Sequence, residues 1–208
     1  PDGININKEH GATAPENLIR AVTEKRADLG IALDGDGDRL IMVDNKGEVV
    51  DGDEALFIIA STNVKSLNGA VVGTQMSNLG LERAIQRLAL GFYRSAVGDR
   101  HVMELLQQQN LKLGGESSGH IINLNLASTG DGTISALQVL ESMVRSGKSL
   151  HDLKNGMTKY PQTLVNIRLE NQVNLSEFPA IDDAVKEIEN ELGDGGRVLL
   201  RPSGTEPL

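Results

Sequence analysis

The sequence predicts an α/β protein: helix-covered domains with mixed sheets, followed by a smaller α+β domain. Two observations predict this class. Apolar runs of strand length alternate with stretches of helical spacing through the middle of the chain, the pattern of a mainly parallel or mixed sheet between helices. Three short strands also run directly into glycine-containing polar loops, at residues 34–39, 114–120 and 201–205. In open α/β sheets ligands gather beyond the carboxyl ends of the strands.

Composition sets the bounds. A chain of 208 residues with 39% hydrophobic content can bury a core and suits one large domain or two to three small ones. The net charge of −9 argues against a nucleic-acid partner or an anionic membrane surface. With no cysteine, disulfides, thiolate catalysis and Cys-bound zinc are excluded. No apolar run reaches the length of a membrane span and no signal peptide is visible, so a cytoplasmic protein is expected. Neither end of the chain looks natural, and a fragment is expected.

The first segment, residues 1–51, reads as the end of an α/β unit. Thr13-Ala14-Pro15-Glu16 has the form of a capping box, and Leu18, Ala21 and Val22 follow at helical spacing. Residues 29–33 read as a buried strand leading into Asp34. Residues 40–43 and 48–50 flank Asp44-Asn45-Lys46-Gly47 as a β-hairpin. Asp51-Gly52-Asp53 breaks the pattern and marks a domain boundary.

The second segment, residues 52–156, alternates. A helix over 54–64 precedes a strand over 70–73 and a helix over 79–90, for which Asn78 is a candidate cap. A strand over 92–97, a helix over 99–109 and a strand over 111–113 follow. Residues 121–126 read as a strand and 133–145 as a helix with apolar positions at Ile134, Leu137 and Val144. The third segment, residues 157–208, has a half-exposed strand over 164–169, a helix over 181–192 and a strand over 197–200. The element that should follow Thr205 is absent.

The three loops differ in chemistry. Asp34-Gly35-Asp36-Gly37-Asp38-Arg39 places three carboxylates at alternate positions with turn-forming glycines between them. Converging carboxylates repel unless a cation lies among them, and oxygen-only ligands favour a hard cation such as Mg²⁺ or Ca²⁺. An EF-hand loop would need Gly at its sixth position and Glu at its twelfth, where Arg39 and Asn45 stand, so that reading fails. The bland alternative is a solvated acidic turn. The second loop carries Glu116, Ser117, Ser118 and His120, suited to sugar hydroxyls and proton transfer. In the third, Arg201, Ser203 and Thr205 surround Gly204, a compact anion site.

Together with Val97-Gly98-Asp99-Arg100 and Ser128-Thr129-Gly130-Asp131-Gly132, these loops resemble the signature loops of the α-D-phosphohexomutases, in the family's order. The pattern is most similar to the branch that acts on amino sugars. The resemblance implies phosphohexomutase-type domains around a cleft: the end of domain two (1–51), domain three (52–156) and part of domain four (157–208). It implies interconversion of glucosamine 6-phosphate and glucosamine 1-phosphate through a phosphoserine and glucosamine 1,6-bisphosphate. Asp34, Asp36 and Asp38 would hold one Mg²⁺. Arg39 would help orient the phosphoserine or serve as a structural salt bridge. Glu116 and Ser118 would bind sugar hydroxyls, and His120 would act as general acid/base or merely end the loop. Arg201, Ser203, Gly204 and Thr205 would hold the non-reacting phosphate. The family's serine loop is not present in the sequence, so the fragment is expected to be inactive alone. The expected partner is a small sugar phosphate, with no nucleic acid and no membrane; a homodimer is compatible with it. Rival readings are a glucose or mannose mutase of the same family, a sugar-phosphate hydrolase and a non-catalytic sugar-phosphate or metal-binding fragment.

Overall fold

The computed structural model describes residues 3–167 and 177–200. The chain divides into two compact units, residues 1–159 and 160–208.

The first unit opens with α1 (Glu16–Lys25) and a three-stranded antiparallel sheet of β1 (Leu29–Leu33), β2 (Leu40–Asp44) and β3 (Val49–Val50), in the order β1-β2-β3. All five residues of β2 are buried because a strand lies on each side of it. The expected buried strand over 29–33 forms as β1, but only Gly30 is buried there, and Ile31 is 40% exposed because β1 is an edge. Leu33 lies opposite Leu40, so the six residues between them form the connection carrying the aspartates. The capping box expected at Thr13 does not form. Pro15 is the N-cap, without a side-chain cap bond, so the helix starts too late for Thr13 to cap it.

The capping box occurs instead at α2 (Gly52–Asn63). Asp51 accepts from the Glu54 N–H, and the Glu54 carboxylate accepts from the Asp51 N–H. Residues 52–60 of α2 are buried without a break, the mark of a helix enclosed on all sides. After it come β4 (Ala70–Thr74), α3 (Leu79–Arg87), β5 (Gly91–Ser95), α4 (Asp99–Gln108), β6 (Leu113–Gly115), β7 (Ile121–Asn123), α5 (Gly132–Ser146) and α6 (Leu150–Lys154).

The sheet order is β5-β4-β6-β7; β4 is parallel to β5 and β6, and β7 runs antiparallel to β6. This is the mixed sheet that the alternation predicts. Period-two alternation sends successive β4 residues to opposite faces. Val71 joins Leu56, Ile59, Leu81, Ile85 and Leu113 on one side, and Val72 joins Val102, Leu106 and Ile122 on the other.

Four details differ from expectation. Strand β6 starts two residues later than residue 111, and β7 stops at Asn123, leaving Leu126 exposed. Helix α5 buries Ser135, Ala136, Gln138, Val139 and Ser142 and exposes Leu137 and Val144. It packs on α2 through small and polar side chains: the Thr62 hydroxyl donates to the Ser142 hydroxyl over 2.8 Å. Helix α6 had no counterpart in the sequence reading, being only five residues long.

In the second unit, α7 (Pro179–Leu192) is the helix expected over 181–192, and a 3₁₀ turn (Gly193–Gly195) follows it. Residues 164–167 and 197–200 do not form the expected strands; residues 168 and 169 of the first lie outside the described residues. Without a partner strand among those residues, an alternating pattern has no ladder to join.

Candidate functional site

The aspartate loop converges as the spacing predicts. One carboxylate oxygen from each of Asp34, Asp36 and Asp38 can be chosen so that all three lie within 4.8 Å of one another. Gly37 turns with φ +74° between Asp36 and Asp38. Its carbonyl accepts the N–H of Gly132 over 2.9 Å, which docks the loop on the start of α5. The Arg39 N–H donates to Asp34 Oδ1 over 3.1 Å, and Arg39 Nε lies 3.8 Å from Asp34 Oδ2. Burial pushes the Asp34 carboxyl up, but the Arg39 N–H and neighbouring donors outweigh it and hold Asp34 below its ordinary value.

The donor set fits a hard divalent cation on one observation in particular. Asp38 Oδ1 is buried and has no hydrogen-bond partner. Such an oxygen costs free energy unless something positive faces it. A cation among the three carboxylates supplies what the protein does not.

The other Asp38 oxygen, Oδ2, lies 3.0 Å from His120 Nδ1. His120 belongs to the loop after β6, so two motifs 82 residues apart meet here. The backbone joins them as well. Arg39 and His120 pair as an isolated antiparallel bridge, and the Leu40 N–H donates to the Gly119 carbonyl over 3.1 Å. Gly119 has φ +96°, and a Cβ there would stand 2.0 Å from the Leu40 carbonyl oxygen, so only glycine allows this approach. His120 is 4% exposed. A Cβ on Gly130 would stand 2.2 Å from its Nε2, so that glycine makes room for the ring.

The remaining positions of the second loop separate by environment. Glu116 is buried, and its Oε1 accepts the Gly98 N–H over 2.8 Å. Ser118 is exposed, and the Ser117 carbonyl accepts the Gly52 N–H over 3.1 Å. The loops after β5 and β6 are therefore fastened to each other, and the β6 loop to the start of α2. Arg201, Ser203, Gly204 and Thr205 lie outside the described residues.

Two supporting residues were not anticipated. Arg94 on β5 donates from Nη1 to the carbonyls of Thr74 and Ser77 over 2.8 and 2.9 Å, and its other nitrogens reach Glu82. It fixes the loop between β4 and α3. Asp53 is 1% exposed; its Oδ2 accepts the Asn78 N–H over 2.7 Å, and its Oδ1 has no partner. Burial raises the Asp53 carboxyl to about 7. Alternation in β5 could have marked Arg94 as a strand residue, but nothing in the sequence indicates its contacts.

A second cluster, Asp44, Glu48 and His151, also groups possible ligand atoms. There Lys154 Nζ lies 2.9 Å from Asp44 Oδ2 and 2.7 Å from Glu48 Oε2, and His151 Nδ1 lies 2.9 Å from Asp44 Oδ2. An ammonium already occupies the centre, so this is an ion-pair network that ties the β2–β3 hairpin to α6.

Comparison with known proteins places the chain in a family. The family model for phosphoglucomutase/phosphomannomutase, alpha/beta/alpha domain III, matches residues 51–160, and that for the C-terminal domain matches residues 164–208. The chain is 64% identical to the phosphoglucosamine mutase of Methylococcus capsulatus over 210 residues, covering all of this chain and 47% of that protein. It is 58% identical to that of Nitrosococcus oceani, with the same coverage. The chain thus spans about half the length of the curated relatives it matches. Among solved structures, Aspergillus fumigatus N-acetylphosphoglucosamine mutase in complex with GlcNAc-6P and magnesium aligns with a TM-score of 0.75 at 21% identity, covering 97% of this chain and 52% of that one. A Burkholderia thailandensis phosphoglucomutase/phosphomannomutase family protein aligns with a TM-score of 0.65 at 25% identity, over 72% of this chain and 33% of that one. With its aspartate loop joined to its glutamate–serine–histidine loop, the chain belongs to the phosphoglucomutase/phosphomannomutase family of α-D-phosphohexomutases.

Proposed function

We propose that the chain is the metal- and sugar-binding part of a phosphoglucosamine mutase. The full-length enzyme interconverts glucosamine 6-phosphate and glucosamine 1-phosphate in the cytoplasm through glucosamine 1,6-bisphosphate. The observation that carries the reading is the junction of the two loops, with Asp38 Oδ2 3.0 Å from His120 Nδ1. The names of the relatives that cover the whole chain supply the sugar. In this reading residues 1–51 close domain two, 52–156 form domain three and 157–208 enter domain four.

The residues divide the work of phosphoryl transfer, which is mainly positioning and charge neutralisation. Asp34, Asp36 and Asp38 hold one Mg²⁺, which when bound draws charge from the phosphoryl oxygens. Arg39 fixes the shape of the loop through Asp34 and offers its guanidinium to the phosphoserine. Glu116 and Ser118 hold sugar hydroxyls. His120 keeps a proton on Nδ1 toward Asp38, which leaves Nε2 as the acceptor for a sugar hydroxyl proton. Arg201, Ser203, Gly204 and Thr205 take the phosphate that does not react, and a planar guanidinium suits that task better than an ammonium.

The test uses the full-length protein with glucosamine 6-phosphate, Mg²⁺ and a catalytic amount of glucosamine 1,6-bisphosphate. Sustained formation of glucosamine 1-phosphate is expected. Net release of inorganic phosphate in its place would identify a hydrolase, and binding without turnover a non-catalytic module.

A further inference from the structure

We infer that Asp99 is the residue that selects a sugar bearing an ammonium group. The inference rests on the reading above, because it concerns what distinguishes an amino sugar from a neutral one at the same site. A 2-ammonium group needs an ionised acceptor, and the overall charge of −9 attracts cations without discriminating among them.

Of the carboxylates around the joined loops, Asp131 caps α5 by accepting the Ile134 N–H over 2.9 Å, and Asp51 and Glu54 cap α2 and pair with Lys159. Asp34, Asp36 and Asp38 face one another around the cation position. Glu116 is buried and its Oε1 is engaged by the Gly98 N–H. Asp53 is buried against Asn78. Asp99 is exposed, and it follows directly after the glycine that bonds Glu116. Gly98 makes that placement with φ +122°, a conformation that L side chains rarely adopt, so the chain leaves β5 and presents Asp99 one residue from the Glu116 carboxylate.

The basic side chains on α4 are engaged elsewhere. Arg100 Nε is held by Glu104 over 2.8 Å, and His101 Nδ1 lies 3.4 Å from the other Glu104 oxygen. Among the described residues Asp99 has no ion-pair partner. It is an uncommitted carboxylate beside the loop that would hold the sugar.

Asp99 also stands in the first turn of α4, where any acidic residue favours the helix. A purely structural role would change stability and affect all sugars alike. The deciding measurement is kcat/KM of the full-length protein for glucosamine 6-phosphate and for glucose 6-phosphate, with wild type, Asp99→Asn and Asp99→Glu. Turnover of glucosamine 6-phosphate by the wild type first establishes the reading of the site; its absence overturns that reading and the inference with it. Given that turnover, Asp99→Asn should lower kcat/KM for the amino sugar about tenfold or more, mainly through KM, the scale of one lost charge-assisted hydrogen bond. Glucose 6-phosphate should be used as well as before, and Asp99→Glu should restore part of the preference. An equal loss for both sugars, or no loss for either, overturns the inference.

Discussion

Asp53 and Asp38 each keep one buried oxygen without a partner, and the two differ in what resolves the cost. For Asp38 the proposed resolution is a cation, and its affinity would then depend on the whole loop. Replacing Asp36 by Asn removes one of three charges while preserving shape. The variant should bind Mg²⁺ at least about tenfold more weakly in a calorimetric titration of the chain, since the charge count of the ligands sets affinity. Equal affinity would show that the loop is only an acidic turn. For Asp53 the resolution is a proton. Its folded pKa of about 7 lies above the ordinary value of 3.8. The unfolded chain loses the proton near pH 4, while the folded chain keeps it to about pH 7. Stability therefore falls as pH rises through that window and stays low above it. Asp53→Asn should remove a cost on the order of 4 kcal/mol at pH 8 and change little at pH 4. Urea midpoints at the two pH values check this, and an identical gap between variant and wild type at both would contradict it.

Among elements, the β2–β3 hairpin and α6 are joined through Asp44, which is fully buried and held down to about 2: burial opposes ionisation, but Lys154, the Glu48 N–H and His151 outweigh it. Because the folded pKa is depressed, this stabilisation is complete above pH 4 and lost as pH falls through about 2. Asp44→Asn should cost roughly 3 kcal/mol at neutral pH, because it leaves buried donors without their acceptor. It should also flatten the acid limb of the stability curve; denaturant melts from pH 2 to 7 measure both. Gly130 tests the loop before α5. A methyl there would collide with the His120 ring, so Gly130→Ala should weaken Mg²⁺ binding without removing a ligand. Unchanged affinity would mean that His120 does not support Asp38. Helix α5 also shows why sequence reading gave its extent but not its inward face. Its apolar Leu137 and Val144 point outward, while Ser135, Gln138 and Ser142 face the interior. Close approach of two helices favours small side chains over large ones, and polar groups are tolerated inside once bonded to each other. Hydrophobic spacing cannot report that preference.

At the scale of the molecule, the strand–loop alternation was legible because β4 and β7 begin as short apolar runs and β5 alternates in burial, and the converging aspartates because glycine spacing dictates convergence. The meeting of Asp38 with His120 was not legible, since no local rule connects residues 82 positions apart. The phosphate loop and the end of the strand expected over 164–169 lie outside the described residues. A chain with about half the length of its relatives should bind metal yet show no mutase turnover in the coupled assay, because on the proposed reading the serines of its described loops carry no phosphoryl group. Turnover by the 208-residue chain would assign the phosphoryl carrier to one of them. The backbone bridge between Arg39 and His120 has a consequence for exchange of parts among related enzymes. Each loop is the other's template, so a chimera joined anywhere between residues 40 and 119 inherits the two from different parents. Its Gly119 carbonyl and Leu40 N–H must then find each other across unmatched frames. Crossovers outside that interval carry the pair intact, and recombinants made there should keep metal affinity while their sugar preference travels as one block.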